Sequence, residues 1–347
     1  MANPIKIGLV GLGRAGVGMH IPELAPRTDK FQIVAVCDCI ETRRNEWAQK
    51  LGAKAYATIE ELVKDPDVEL VDIATRSIDH YAHAKLALLA GKDVQLEKPF
   101  CVNAAQAEEL AALGSQPAGP HLYLRHNRRF ENGFEQVNKI IDSGILGNVF
   151  EIKLARNDYD RRDDWQTLSA SGGGQLRNWG PHIVDHSLQF CEGAYTVLYS
   201  NLNHVAAGGD CEDHVKIVFT GKNGRIVDME ISGGCALPVP EYMIYGSKGT
   251  LVSERDGFHV RYLDPAQKLG KVISDPSTPG TNASFGSTET LQWIDTVIPY
   301  ENYGDCPRIW DHLYAAIREN KPHPVTLAEA LEVIRVISKV KDNSIFQ

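Results

Sequence analysis

At roughly 150 residues per domain, 347 residues suggest two domains, and 43% hydrophobic with 23% charged residues is close to the soluble globular average. That balance excludes a disordered or fibrous chain. The formal charge is −9, with Lys plus Arg 36 against Asp plus Glu 45, and neither half is basic, so nucleic acid and anionic membrane surfaces are poor partners. Met1–Ile7 lacks a basic stretch followed by an apolar run, and no segment approaches the ~18 apolar residues of a membrane span. The seven cysteines are odd in number and form no CxxC pair, so reduced thiols and a cytoplasmic location are expected.

Residues 1–124 alternate Val/Ile-rich runs with helix-like stretches, the pattern of a parallel sheet covered on both faces. Strands are predicted at Ile5–Val10, Gln32–Cys37, Leu70–Ala74, Asp93–Leu96 and His121–Leu124, with helices at Arg43–Leu51, His80–Ala90 and Ala104–Leu113. From residue 125 to 347 the pattern is α+β. A helix at Phe134–Ser143 precedes strands at Val149–Ala155, Val197–His204, His214–Thr220, Ile226–Ser232, Tyr242–Tyr245 and Phe258–Leu263, which read as one antiparallel or mixed open sheet. Helices at Arg308–Asn320 and Leu327–Val340 close the chain, and Ser274–Ser287 has the composition of a mobile loop.

The run Ile5–Val10 leads directly into Gly11, Leu12, Gly13, Arg14, Ala15 and Gly16, the spacing of a turn whose amides face a dinucleotide pyrophosphate. The first glycine permits the turn, the second lets phosphate approach and the third lets helix and strand pack. Asp38 ends the second strand, placed to accept ribose hydroxyls, which favours NAD; Arg43 and Arg44 lie close enough to soften repulsion of a 2′-phosphate, so NADP stays open. Thr75 and Arg76 follow the third predicted strand, and His80 starts the next helix close to the nucleotide; all three join the cofactor candidates.

Glu97, Lys98 and Pro99 lie at the end of a predicted parallel strand, where open α/β sheets gather ligand-binding groups. Alcohol oxidation needs a group that takes the hydroxyl proton. A free lysine is neutral only about once in 2,500 at pH 7, so burial or a neighbouring positive charge has to lower the Lys98 pKa. A second cluster runs from Gly172 to His186. Asn178 and His182 share a helix face at i, i+4, and His182 is placed to bond a substrate oxygen. His182 and His186 also suit a metal by spacing, but no third ligand follows and no metal is expected.

In this order, GLGRAG, Asp38, HYAHAKLALLAGKDVQLEKPF, HNRRFENGFEQVNKIIDSGILGNV and GGGQLRNWGPHIVDH resemble the Gfo/Idh/MocA family of glucose-fructose oxidoreductase and inositol dehydrogenase type. The resemblance implies a Rossmann domain, a second α/β domain whose sheet makes a homodimer or homotetramer, and hydride transfer between NAD(P) and a sugar, glycoside or cyclitol. By position Lys98 and His182 match the family's catalytic lysine and histidine, while Glu97 and Pro99 set the lysine's backbone. Asn178 stands where many members have aspartate, so it can orient Lys98 or hold a hydroxyl but cannot take a proton. Asn127 at the domain junction is placed to face the nicotinamide, and Arg156, Asn157 and Trp165 in a polar loop suit a polyhydroxylated substrate. Two alternatives stay open: an enzyme that retains NAD and oxidises a glycoside transiently, and a sugar- and nucleotide-sensing regulator.

Overall fold

The computed structural model describes residues 3–274, 289–301 and 305–346. All but the first residue of the loop expected at Ser274–Ser287 lies outside them.

The first half forms β1 (Ile5–Val10), α1 (Ile21–Leu24), β2 (Phe31–Cys37), α2 (Glu41–Leu51), β3 (Lys54–Tyr56), α3 (Ile59–Leu62), β4 (Leu70–Ile73), α4 (His80–Leu89), β5 (Asp93–Leu96), α5 (Ala104–Leu113) and β6 (Leu122–Leu124). The strands pair in parallel in the order β3-β2-β1-β4-β5-β6. The order reverses beside β1, and that crevice at the strands' C-terminal ends is where a doubly wound sheet receives a dinucleotide. Strands β1 and β4 are buried on both faces, which is why they read as continuous apolar runs. The three-residue β3 and one-turn α3 carry too few residues to show a period, and the sequence reading missed both.

The second half adds α6 (Asn132–Asp142), β7 (Val149–Asn157), α7 (Gln175–Asn178), α8 (Gly180–Phe190), β8 (Tyr195–Asn203), β9 (His214–Gly221), β10 (Ile226–Ser232), β11 (Tyr242–Gly246), β12 (Gly249–Ser253), β13 (Gly257–Leu263), β14 (Trp293–Pro299), α9 (Arg308–Glu319) and α10 (Leu327–Asp342). Their eight-stranded sheet runs β14-β13-β12-β11-β7-β10-β9-β8 and is mixed, because β7 and β10 pair in parallel while the other neighbours are antiparallel. β12 and β14 were not predicted.

Val215, Ile217, Phe219, Val227, Met229, Ile231, Ile152 and Leu154 alternate into the core, and α8 covers β9 and β10 there. The other face carries Lys216, Asp228 and Glu230, with Lys216 Nζ 2.6 Å from Asp228. The last helices return to the first half. Trp310 and Leu313 of α9 pack with Ile5, Ile7 and Phe31, while α10 lies against α5 and α8. A capping box between Thr326 and Glu329 starts α10. No helix among the described residues is long and apolar enough to cross a membrane.

Candidate active site

The glycine turn has the tight backbone that its spacing predicts. Gly11 has φ +94°, a left-handed conformation in which a Cβ would stand 2.6 Å from the Ala74 carbonyl, and a Cβ on Gly16 would stand 2.1 Å from the Gly11 carbonyl. A Cβ on Gly13 would meet no protein atom within 4 Å. Two glycines are thus demanded by the protein's own packing. Gly13 faces open space, which fits a dinucleotide whose phosphates come close to the backbone.

The Leu12 side chain is buried, so only its backbone belongs to this surface, and its N–H donates to Asp38 Oδ2 at 2.9 Å. Asp38 Oδ1 accepts the Ile40 N–H at 2.9 Å, and Arg43 lies 3.4 Å from Oδ2. Arg14 is exposed on the helical turn beyond. The Asp38 carboxylate therefore ties the end of β2 to the glycine turn and can still offer lone pairs to a ribose.

At the end of β4, Thr75 Oγ1 pairs with His83 Nδ1 at 3.1 Å, and Arg76 is exposed. His80 departs from the cofactor contact expected of it. Its Nδ1 lies 2.7 Å from the Pro99 carbonyl and its Nε2 3.2 Å from the Thr75 carbonyl, and the neutral ring donates its one N–H to the nearer, so it sits buried between two loops. Glu97 bonds the Lys98 backbone and spends its other oxygen inside the protein. Oε1 accepts from His20 Nε2 at 2.9 Å and Arg125 at 2.9 Å, and Oε2 accepts the Lys98 N–H at 3.0 Å. His20 Nδ1 pairs with Asp72 at 2.7 Å, Arg125 continues to Glu23, and Glu23 accepts the Trp310 indole N–H at 2.7 Å. This buried chain was not found in the sequence. Its one signal there was an aspartate, Asp72, inside an apolar strand.

The Lys98–Pro99 bond is cis. The half-buried Lys98 Nζ lies 3.3 Å from both the backbone carbonyl and Oδ1 of Asn178. Burial holds its pKa below the usual lysine value; Glu97 opposes that, while the charges of Arg128, Arg125 and Arg14 add to it. His182 is buried, its pKa pushed well below 6.5 by burial and then by the Lys98 and Arg128 charges, and its Nδ1 has no hydrogen-bond partner among the described residues. Lys98 is thus a cation that gives up its proton more easily than usual, and its charge helps to keep the His182 ring neutral.

Asn178 and His182 do not share one regular helix. Asn178 ends α7 and α8 starts at Gly180, with Trp179 between them and Pro181 removing an N–H from the ladder. Gly174, at φ +103°, starts α7 where a Cβ would strike the Glu212 carboxylate. Glu212 accepts the Leu176 N–H at 3.1 Å and pairs with Lys341 of α10 at 2.9 Å, both side chains buried. Asp185 is bound by Arg129 through two contacts of 2.6 and 2.8 Å, so it does not stand in for a carboxylate at 178. His186 stacks on Phe134 at 3.8 Å and faces the Arg128 carbonyl, which takes it out of contention as a ligand.

Arg156 projects from β7 on the core face, 2.6 Å from Glu131 and 2.5 Å from Glu241, with its guanidinium 5.2 Å from the Trp179 ring centre. Asn157 is one residue on and therefore points to the opposite face, where its Nδ2 donates to Glu230 at 2.8 Å. Its placement as a substrate contact alongside Arg156 fails on strand alternation. Asn127 is buried in a short turn, and Trp165 is half-buried in the turn leading to Gln166. Gln166 was overlooked; its Nε2 donates to Asn178 Oδ1 at 3.2 Å.

A parallel sheet with a glycine turn at its switch point, and a half-buried lysine at the end of the adjoining strand, define a nucleotide-dependent oxidoreductase of two-sheet architecture. Residues 5–116 match the family model described as the NAD-binding Rossmann fold of the GFO/IDH/MocA oxidoreductases, and residues 134–252 match that family's C-terminal domain. The chain belongs to the Gfo/Idh/MocA oxidoreductase family, and its cofactor is NAD(P). It is 28% identical over 353 residues, covering 99% of this chain and 94% of the relative, to scyllo-inositol 2-dehydrogenase (NADP(+)) IolW of Bacillus subtilis. It is 34% identical over 145 residues, 41% of this chain and 43% of the relative, to inositol 2-dehydrogenase of Salmonella paratyphi B. In fold it resembles the NAD-binding protein from Listeria innocua, with TM-score 0.82, 21% identity and coverage of 99% and 98%.

Proposed function

We propose that the protein transfers a hydride between NAD(P) and a secondary alcohol, or the matching ketone, of a polyhydroxylated ring, with a cyclitol the leading substrate class. The observation that carries this reading is Lys98. It is half-buried at the C-terminal end of β5, held below its usual pKa, and bonded to Asn178 at 3.3 Å. When bound, the nicotinamide supplies the hydride acceptor or donor. Gly11, Gly13, Gly16 and Asp38 would hold the dinucleotide, and Asn127 is the residue assigned to the nicotinamide.

Lys98 takes the hydroxyl proton in oxidation and returns it in reduction. Neutral His182 positions the same oxygen through a ring nitrogen. Arg156, Glu131 and Glu241 supply the paired donors and acceptors that ring hydroxyls require, and Trp165 covers apolar ring hydrogens. Burial, more than the opposing Arg156 charge, raises the Glu241 carboxyl to about 7, so this group can donate as well as accept near neutral pH. The cyclitol assignment draws on the inositol dehydrogenases among the relatives. The outer face of the eight-stranded sheet is the proposed contact between copies.

The test follows NADH and NADPH absorbance with scyllo-inositol, myo-inositol and a panel of hexoses, for the native protein and for Lys98→Ala. The variant is expected to lose about 10²–10⁴-fold in kcat while binding the cofactor as before. Native turnover by Lys98→Ala would remove the lysine from its role, and activity confined to hexoses would overturn the cyclitol assignment.

A further inference from the structure

The Asn178 side chain is held by a row of contacts reaching it from the loop after β7. Arg162 makes a bidentate pair with Asp164, at 3.0 and 2.7 Å to Oδ2 and 2.9 Å to Oδ1. The same guanidinium donates to Gln166 Oε1 at 2.5 Å. Arginine only donates, so this contact fixes which end of the Gln166 amide is oxygen and turns Nε2 toward Asn178. Nε2 in turn donates to Asn178 Oδ1 at 3.2 Å, which fixes the second amide by the same logic.

Lys98 Nζ meets two acceptors on one residue, the Oδ1 and the backbone carbonyl of Asn178, both at 3.3 Å. A lysine nitrogen has four tetrahedral positions, one of them its own Cε. Two N–H groups are taken by Asn178, and among the described residues no other acceptor takes the third. That remaining position is an N–H in the ammonium and a lone pair in the amine.

We infer that Gln166, braced by Arg162, is a positioning residue that locks the Asn178 amide so that Lys98 presents the same open position to the reacting oxygen in both of its protonation states. An amide at 178 holds one of the two N–H groups, beside the backbone carbonyl that holds the other, without adding a negative charge that would favour the ammonium. A freely rotating amide would not hold the neutral amine in this way. It would turn over and donate Nδ2–H to the lone pair that the reaction needs. Gln166 prevents this by occupying Oδ1 with a donor that does not titrate. The charged and titratable groups that also face Lys98 are Glu97 on its own strand end, Arg14 on the glycine turn, Arg125 and Arg128 after β6, His80 on α4 and His182 on α8. None of these is altered in the variants below.

The inference rests on the reading of Lys98 as the proton-handling group, so its test reads Lys98 without any substrate. Protein labelled with [ε-13C]lysine is titrated by NMR, with Lys98 assigned by its loss in Lys98→Arg. Asn178→Asp is expected to raise the Lys98 midpoint by about one unit or more, as an opposite charge at this distance does. Gln166→Leu is expected to lower the midpoint in the native background, because the freed amide stabilises the amine. In the Asn178→Asp background the same change is expected to have no effect, because the two oxygens of a carboxylate are equivalent and need no orienting. Arg162→Met combined with Asp164→Asn, which releases Gln166 without leaving an unpaired charge, should reproduce the lowering and serves as the second route if Gln166→Leu folds poorly. An unmoved midpoint in both release variants, or an equal shift in the two backgrounds, overturns the locking role. If the titrations behave as expected but no polyol is turned over, the substrate reading fails while the locking role stands.

Discussion

His20 Nε2 lies 2.9 Å from Glu97 Oε1, joining the helix that follows the glycine turn to the residue just before Lys98. Its other nitrogen is held by Asp72 at 2.7 Å. Cofactor turn and lysine are thereby fixed through one buried imidazole.

That imidazole sets a pH dependence of stability. Burial lowers its pKa, but Asp72 and Glu97 outweigh burial and the Arg125 charge and raise it from 6.5 to about 9. A folded pKa above the unfolded one means the stabilisation is complete below about pH 6.5 and is lost as pH rises through about 9, up to about 3 kcal/mol for this shift. Urea midpoints of the native protein should fall between pH 6.5 and 9.5, and those of His20→Gln should fall less. Parallel curves for the two proteins would remove His20 from the dependence.

Gly13 and Gly16 should separate cofactor binding from folding. A methyl on Gly13 meets no protein atom, so Gly13→Ala should keep the native Tm while NADH binding weakens by about tenfold or more, because phosphate can no longer approach. A methyl on Gly16 would stand 2.1 Å from the Gly11 carbonyl, so Gly16→Ala should lose both Tm and binding. Fluorescence titration with NADH beside thermal melts reads both quantities. Unchanged NADH binding by Gly13→Ala would place the dinucleotide elsewhere.

Asp38 and Arg43 lie 3.4 Å apart at the end of β2, a carboxylate that repels a 2′-phosphate beside a guanidinium that attracts one. Asp38→Ser should shift the NAD to NADP affinity ratio toward NADP by about tenfold or more, and Arg43→Ala should shift it toward NAD. Dissociation constants for the four cofactor forms measure this. A ratio that stays constant in both variants would show that neither residue reaches the adenosine ribose.

Lys341 of α10 and Glu212 form a buried pair at 2.9 Å, and Glu212 also holds the start of α7, the helix that ends at Asn178. Lys341→Met leaves a buried carboxylate unpaired and should cost about 3–5 kcal/mol of stability. Adding Glu212→Gln should restore most of it. Denaturant unfolding of the two variants decides the point, and a double variant no more stable than the single one would contradict pairing as the cause.

Long elements with clear periods were legible in the sequence. Buried strands β1 and β4 and the parallel order they imply follow from local composition, as do the glycine turn and Asp38 at the end of β2. β3, β12, α3 and α7 were not legible, since three to five residues hold barely one period of either kind. Asn157 was misplaced because a loop-like polar run continues as strand β7, and alternation sends adjacent side chains to opposite faces. His80 and Glu97 lie next to the site in sequence, yet their polar atoms are taken by partners that only folding supplies: the Thr75 and Pro99 carbonyls for one, His20 and Arg125 for the other.

The dinucleotide half, the motif order that carries the family, and the prominence of Lys98 and His182 could all be read before folding, because each is written in contiguous residues whose backbone demands are local. Which carboxylates are free and which are consumed, and how Lys98 is held, emerged only on folding. Gln166 is 12 residues from Asn178, and Asn178 is 80 from Lys98. Contacts across such separations depend on how loops return to one place in space, and no local pattern of residues encodes that return.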